Sequence, residues 1–339
     1  MEKLERIRTA LRGEAADRPP YSFWTHLPRI DRDPAELARA TAAFCARYDM
    51  DFVKAMPGGM YAVEDWGCVA DDSAIAHGGV ARVTQPAIVS TADWRRLEPL
   101  DVTRGSFGRE LSHLSLVVKL VGPSVPVLAT VFSPLTAAAK LSDSGCRRHL
   151  KEAPGIVAAA LETITETMCA FAREAIERGC AGIFLATQEA SYDALDESAY
   201  RVFGEPYDRR VMQSATAAGG WFNVIHMHGA HVMFDLLAQY EAAALNWHIG
   251  ESSPSIGDYR ARGGTRPILG GLQRRHLTNR DHKAIWRDIE HAVAETSGQG
   301  ILLAPACVIR HPVHDATLRF TADAIKGLAS APGLYRAAS

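Results

Sequence analysis

The strongest constraint on the fold of this chain is a repeating alternation. Short apolar runs bounded by Gly, Pro or polar clusters recur eight times, with stretches of helical period between them. The runs cover residues 21–24, 51–55, 125–132, 182–186, 222–228, 243–248, 267–272 and 301–306. Ile183-Phe184-Leu185 and Ile301-Leu302-Leu303 are apolar without a break, as strands are when both faces are covered. Helix starts are marked as well: Pro34 opens a stretch to about residue 48, Asp196 precedes 197–203, and Asn279 and Asp281 precede 283–294. In the last of these Ile285, Ile289 and Val293 share a face at four-residue spacing. Eight strand–helix units predict an α/β chain forming a single (β/α)8 TIM barrel over residues 1–339. Residues 56–122 exceed what one crossover needs, so a helical insertion is expected between strands 2 and 3, with helices near 92–97 and 107–121. An open doubly wound sheet is the competing arrangement, but no GxGxxG follows an early strand.

Composition excludes several function classes. Apolar residues at 47% and charged residues at 22% supply a sizeable core, which rules out disorder. Thirty-seven Lys and Arg against thirty-nine Asp and Glu give a net charge of −2, and no run of five like charges occurs, so no nucleic-acid partner is expected. The apolar stretch 114–121 is interrupted by Lys119 and falls short of the roughly 18 residues a membrane span takes. Residues 1–18 are charged throughout, which speaks against a signal peptide. The six cysteines show no CxxC and no regular spacing, as in a reduced, cytoplasmic protein whose thiols are small buried hydrophobes. A small-molecule substrate is the remaining expectation.

In a barrel of this kind functional groups collect at the C-terminal strand ends. Those ends carry Trp24 and His26, then Lys54, Gln188 with Tyr192, the pair His226 and His228, His248, and Cys307. Side chains two apart on a strand point the same way, so His226 and His228 converge on one volume. With Cys307 they make three protein ligands and leave a fourth position open, the ligand count of a catalytic zinc site. The bland alternative is a hydrogen-bonded histidine pair in a polar mouth beside a structural thiol. Lys54 either receives an anionic substrate group or pairs with Glu64 or Asp65. Trp24, His26, Gln188 and Tyr192 are candidate substrate contacts, although tryptophans more often pack. His231 reads as a solvent or capping residue, and His311, His314 and Asp315 as a loop and helix cap around Pro312. Nucleophile elbows, Walker loops and HExxH are absent.

An ordered series of segments then resembles a known superfamily. It runs from Glu2-Lys3-Leu4-Glu5-Arg6 and Asp17-Arg18-Pro19-Pro20 through Phe132-Ser133-Pro134-Leu135-Thr136, Gly182-Ile183-Phe184 and Phe203-Gly204-Glu205-Pro206-Tyr207 to His226-Met227-His228-Gly229 and the segment around Cys307. The series resembles the uroporphyrinogen decarboxylase superfamily over nearly the whole chain, which implies a TIM barrel. The RQAGR-type, FSD-type and LGHG-type motifs of true decarboxylases are not intact: Trp24-Thr25-His26-Leu27-Pro28-Arg29, Tyr61-Ala62-Val63-Glu64-Asp65-Trp66 and Ala304-Pro305-Ala306-Cys307 stand in their places. Against the many carboxylates of a porphyrinogen the mouth offers mainly Lys54, with Arg29 and Arg32 as further candidates.

The resemblance is closer to the methylcobamide-dependent methyltransferase branch, whose zinc is held by His-x-Cys after strand five and Cys after strand eight. It implies His226 and Cys307 as ligands, while His228 stands where that branch has Cys. A neutral imidazole in place of a thiolate makes the centre one unit more positive and a stronger Lewis acid. The implied activity is a zinc-dependent methyl- or alkyltransferase that activates a thiol or hydroxyl, with His248, Lys54, Gln188 and Tyr192 orienting substrate. No DxHxxG cobalamin signature is present, so a corrinoid or folate methyl carrier would arrive separately, a corrinoid on its own protein or as free cofactor. A homodimer is implied only by the resemblance. The alternatives are a metal-free decarboxylase relying on Lys54, Arg29 and the histidines, and a non-catalytic ligand- or corrinoid-binding barrel.

Overall fold

Two apolar layers lie on opposite sides of the same strands in the computed structural model, which describes residues 1–330. The strands in chain order are β1 (Val53–Lys54), β2 (Val69–Asp71), β3 (Arg82–Gln85), β4 (Val127–Phe132), β5 (Gly182–Thr187), β6 (Val224–Met227), β7 (Ala244–Trp247), β8 (Ile268–Leu272) and β9 (Ile301–Pro305). Seven of them form one curled parallel sheet, ordered β1-β4-β5-β6-β7-β8-β9, with helical crossovers between successive members. Alternation along each strand divides the core. Val127, Ile183, Ile225, Leu245, Ile268 and Ile301 join the layer beneath the helices. Their neighbours Leu128, Phe184, Val224, Ala244, Leu269 and Leu302 form a second cluster with Phe52 and Phe222. This inner cluster fills the concave side of the sheet, so polar groups further along the same strands stand on an apolar floor.

The first of the eight predicted strands, 21–24, is not part of a ladder. Residues 20–25 instead lie between the two sheet edges: Leu303 N donates to Pro20 O at 2.8 Å, Ser22 N to Leu303 O at 3.1 Å, and Asp51 N to Tyr21 O at 2.9 Å. Parallel bridges at Tyr21–Leu303 and Thr25–Ile309 complete the contact. Pro19 and Pro20 lack backbone donors just where a ladder would start, which limits regular pairing. A buried carboxylate fixes the segment: Asp51 accepts from Arg6 Nη1 at 2.7 Å, Arg18 Nη1 at 2.7 Å and Tyr21 N at 2.9 Å.

The 56–122 stretch also differs from the expected helical insertion. It contains an antiparallel ribbon, β2 with β3, beside a short helix (Tyr61–Glu64), two 3-10 turns (Ser73–His77 and Asp93–Arg96) and a helix (Gly105–Val121). The ribbon is mostly exposed, with only Ala70 and Val83 partly buried, so it carries no apolar alternation that would mark it in the sequence. The Gly105–Val121 helix packs on Pro34–Arg47 and Pro154–Glu177, as an outer-layer helix does. Predicted helix starts are present: Asp33 accepts from Ala35 N and Glu36 N, Asp196 from Ala199 N, and Asp281 from Ala284 N. Among the described residues one helix, Pro154–Glu177, rather than the 114–121 stretch, is long and apolar enough to cross a membrane by length and composition. Its Val157, Leu161, Ile164, Met168 and Phe171 are buried, and the helix packs on β4, β5 and the Glu205–Ala217 helix.

Candidate metal centre

Strand register assembles the site. In the β6–β7 ladder His226 stands beside Asn246, and continuing two residues along each parallel strand sets His228 beside His248. Cys307 lies two residues past the end of β9. One ligand atom from each of His226, His228, His248 and Cys307 lies within 4.8 Å of all the others. Cys307 Sγ is 3.9 Å from His226 Nε2 and 3.7 Å from His228 Nδ1. The rings of His228 and His248 are 4.6 Å apart, centroid to centroid. His226, His248 and Cys307 are buried and His228 is half-buried.

Neighbouring groups set which nitrogens face the centre. Asn246 Nδ2 donates to Leu269 O at 2.6 Å, which turns Oδ1 toward His226 Nδ1. His226 Nδ1 therefore carries the proton and donates to Oδ1, leaving the Nε2 lone pair toward Cys307. Glu251 Oε2 lies 3.3 Å from His248 Nδ1 and is itself held by Arg274 Nη2 at 3.0 Å. His248 Nε2 is buried without a hydrogen-bond partner. Orienting contacts behind imidazoles of this kind are what metal-binding histidines need. Phe184 stacks on His226 at 5.0 Å and supports the ring from the apolar floor.

Burial governs the protonation states. It pushes His228 down to about 3, His248 to about 4 and His226 well below the ordinary imidazole range, so the rings are neutral with free lone pairs near pH 7. Burial raises the Cys307 thiol, an effect opposed by Arg274 and Lys54. Lys54 is pushed down to about 7, again chiefly by burial. Three neutral imidazoles around a thiol are a donor set that a soft divalent cation would complete. They carry no internal positive charge that could serve as its substitute.

The cluster opens on a cavity of about 490 Å³ whose wall includes Trp24, His26, Lys54 and Gln188 from the sequence prediction. The hairpin side contributes Ile75, Val80 and Ala81, which places the ribbon segment over the mouth. Lys54 pairs with neither Glu64, which holds Arg109 at 2.8 Å, nor Asp65, which accepts from Ser106 N. His248, predicted to orient substrate, stands inside the His/Cys cluster itself. Tyr192 is not brought to the cavity: it is 56% exposed and its hydroxyl donates to Glu197 at 2.6 Å. Five residues past the end of β5, it no longer inherits the strand's direction. His231 pairs with Asp193 at the surface, in line with the solvent reading, whereas Asp315 opens the last helix without a side-chain cap and pairs with Arg47. Arg29 and Arg32 do not line the cavity, whereas Lys140, Arg147, Arg274 and Arg310 do. The sequence reading therefore understated the positive charge of the mouth. These side chains, with Glu189 and Glu251, were missed because they come from loops and helices whose direction no periodicity encodes, and Asn246 because its place beside His226 depends on the β6–β7 register.

The comparison that decides the family covers almost the entire chain: a model described as uroporphyrinogen decarboxylase (URO-D) matches residues 2–328. This chain belongs to the uroporphyrinogen decarboxylase family. Within it, the chain is 20% identical over 135 residues to the methylcobamide:CoM methyltransferase MtbA of Methanosarcina acetivorans. That match spans 38% of this chain and 40% of its relative, so about two fifths of the relative's length is represented. Among solved structures a methyltransferase from Methanosarcina mazei superposes with a TM-score of 0.83 at 19% identity, covering 96% of this chain and 98% of that one. A B12-independent methionine synthase from Shewanella sp. W3-18-1 follows with a TM-score of 0.55 at 10% identity and 93% coverage of both chains. At these identities the structural likeness is one of fold. Both the sequence relative and the best-covered of these structures are methyltransferases by name.

Proposed function

We propose that this member of the family is a zinc-dependent methyl- or alkyltransferase that transfers a one-carbon or alkyl group to a small thiol or hydroxyl. The observation that carries the reading is the convergence of His226 Nε2, His228 Nδ1 and Cys307 Sγ on one buried point, with the first ring fixed by Asn246. The residues fit a zinc ion: neutral imidazoles offer lone pairs, Cys307 offers the one anionic donor, and the buried His248 Nε2 has no protein partner. When bound, zinc would supply Lewis acidity that lowers the pKa of a thiol or hydroxyl at the open position.

The remaining roles belong to the chain. Glu251, neutralised by Arg274, holds the His248 ring through Nδ1 and leaves Nε2 free for the cluster. Phe184 and the inner apolar cluster exclude water from below. Trp24, His26 and Gln188 border the substrate cavity and orient its contents. The methyl or alkyl donor, a corrinoid on a separate protein or a folate, approaches through the open mouth; the name of the Methanosarcina acetivorans relative supports the corrinoid. The cations of the mouth also favour a second reading, a metal-free decarboxylase, which turnover of uroporphyrinogen by metal-stripped protein would support.

Elemental analysis tests the proposal. The purified chain is expected to carry about one zinc per molecule and the His228→Ala variant to lose most of it. Metal-free wild-type protein, or a variant with the same zinc content, contradicts the assignment.

A further inference from the structure

Five cations line the cavity next to the His/Cys cluster, and three of them are already engaged. Arg147 holds both oxygens of Glu189, at 2.7 and 3.0 Å. Arg274 does the same with Glu251, at 3.2 and 3.0 Å, and Arg310 donates to Gly79 O at 3.0 Å. The two lysines differ. Lys54 is 7% exposed, and the polar contact of its Nζ is Met56 Sδ at 2.6 Å. Lys140 is half-buried, with Nζ over the Phe132 ring at 4.8 Å. Neither has an ion-pair partner within 4 Å among the described residues, and both oxygens of the nearby Glu189 are taken by Arg147.

A buried ammonium without a carboxylate partner is unfavourable in an empty protein, and buried charges are ordinarily paired. Aromatic faces offset only part of this: Lys54 Nζ lies 4.8 Å from the Phe184 centroid and 6.0 Å from that of Trp24. Phe184 is also the ring stacked on His226, so Lys54 stands one aromatic ring from the metal-binding cluster. We infer that Lys54, with Lys140 on the outer wall, is the receptor for an acidic group of the substrate, a carboxylate, sulfonate or phosphate, which supplies the missing counter-charge. The substrate is then a small organic acid, its acidic end at the lysines and its reacting atom at the cluster. This deepens the transferase reading, on which the second end depends, but the acid-binding end stands on the lysines alone.

The test separates the two. Binding of propionate, propanesulfonate, propyl phosphate and neutral 1-propanol to the full chain is measured by ligand-observed NMR, with zinc present and after metal stripping. None of these probes carries a thiol, so failure of the metal assignment leaves the result unaffected. At least one acid is expected to bind at least tenfold more tightly than the alcohol, and the identity of the best probe names the acidic group. Lys54→Met and Lys140→Met should each weaken that acid at least tenfold and leave the alcohol unchanged. Because Lys54→Met removes an unpaired charge, its melting temperature without ligand is expected to match or exceed that of wild type, so loss of binding is not loss of fold. Equal binding of acids and alcohol, or acid binding unchanged in both variants, overturns the inference.

Discussion

Replacing Cys307 by Ala is expected to weaken zinc binding by two to three orders of magnitude and to abolish group transfer. Cys307 is the one anionic donor in the cluster, against three neutral imidazoles. Zinc sites with four protein ligands release about 10–16 kcal/mol on binding, or roughly 3 kcal/mol per ligand. At about 1.4 kcal/mol per decade that is a hundred- to thousandfold change in affinity. Competition with a chromogenic chelator measures it. The control lies in the other cysteines: Cys180→Ala, which deletes a core thiol just before β5 and outside the His/Cys cluster, should leave zinc affinity unchanged while costing some stability through the small cavity it opens. A Cys307→Ala protein that keeps wild-type affinity would remove Cys307 from the metal site.

The second large effect concerns the fold. Asp51→Ala should lower unfolding free energy by about 3–5 kcal/mol, the range for deleting one partner of a buried ionic network. The side chain is fully buried, and it neutralises two guanidiniums at once while accepting from Tyr21 N. Its loss leaves the buried Arg18 without a carboxylate partner and the buried Arg6 with Asp17 alone, and loosens the segment that lies between β9 and β1. Asp17→Ala is the comparison: Asp17 also binds Arg6, but a third of its side chain is exposed, so its loss should cost about 1 kcal/mol or less. Urea unfolding of both variants measures the difference. Equal costs would show that the Asp51 network does not hold the sheet edges together.

Much of the architecture was legible because two periodicities dominate it. Runs such as 182–186 and 301–306 are apolar on both faces, and the structure explains why: one face meets the helices and the other meets the inner cluster. The 21–24 run has the same composition but sits behind two prolines, and pairing there depends on partners almost 300 residues away. The β2–β3 ribbon was invisible for the opposite reason, since its residues other than Ala70 and Val83 are exposed and leave no pattern.

The site divides in the same way. His226 and His228 share a face by strand geometry alone, and Cys307 lies just past the matching end of another strand. That His248 would join them depends on the β6–β7 register, which pairs residues twenty apart and cannot be read from either strand separately. The partners Asn246, Glu251 and Arg274 follow from that register and from loop conformation. Tyr192 shows the limit of strand-end reasoning, because chain proximity to a strand fixes position but not direction.

The central claim is that His226, His228 and Cys307 hold a metal, and zinc K-edge X-ray absorption on the purified wild-type chain tests it most directly. One sulfur scatterer at about 2.3 Å together with imidazole nitrogens at about 2.0–2.1 Å is expected. A first shell of nitrogen and oxygen without sulfur, or a protein that takes up no zinc, would contradict it.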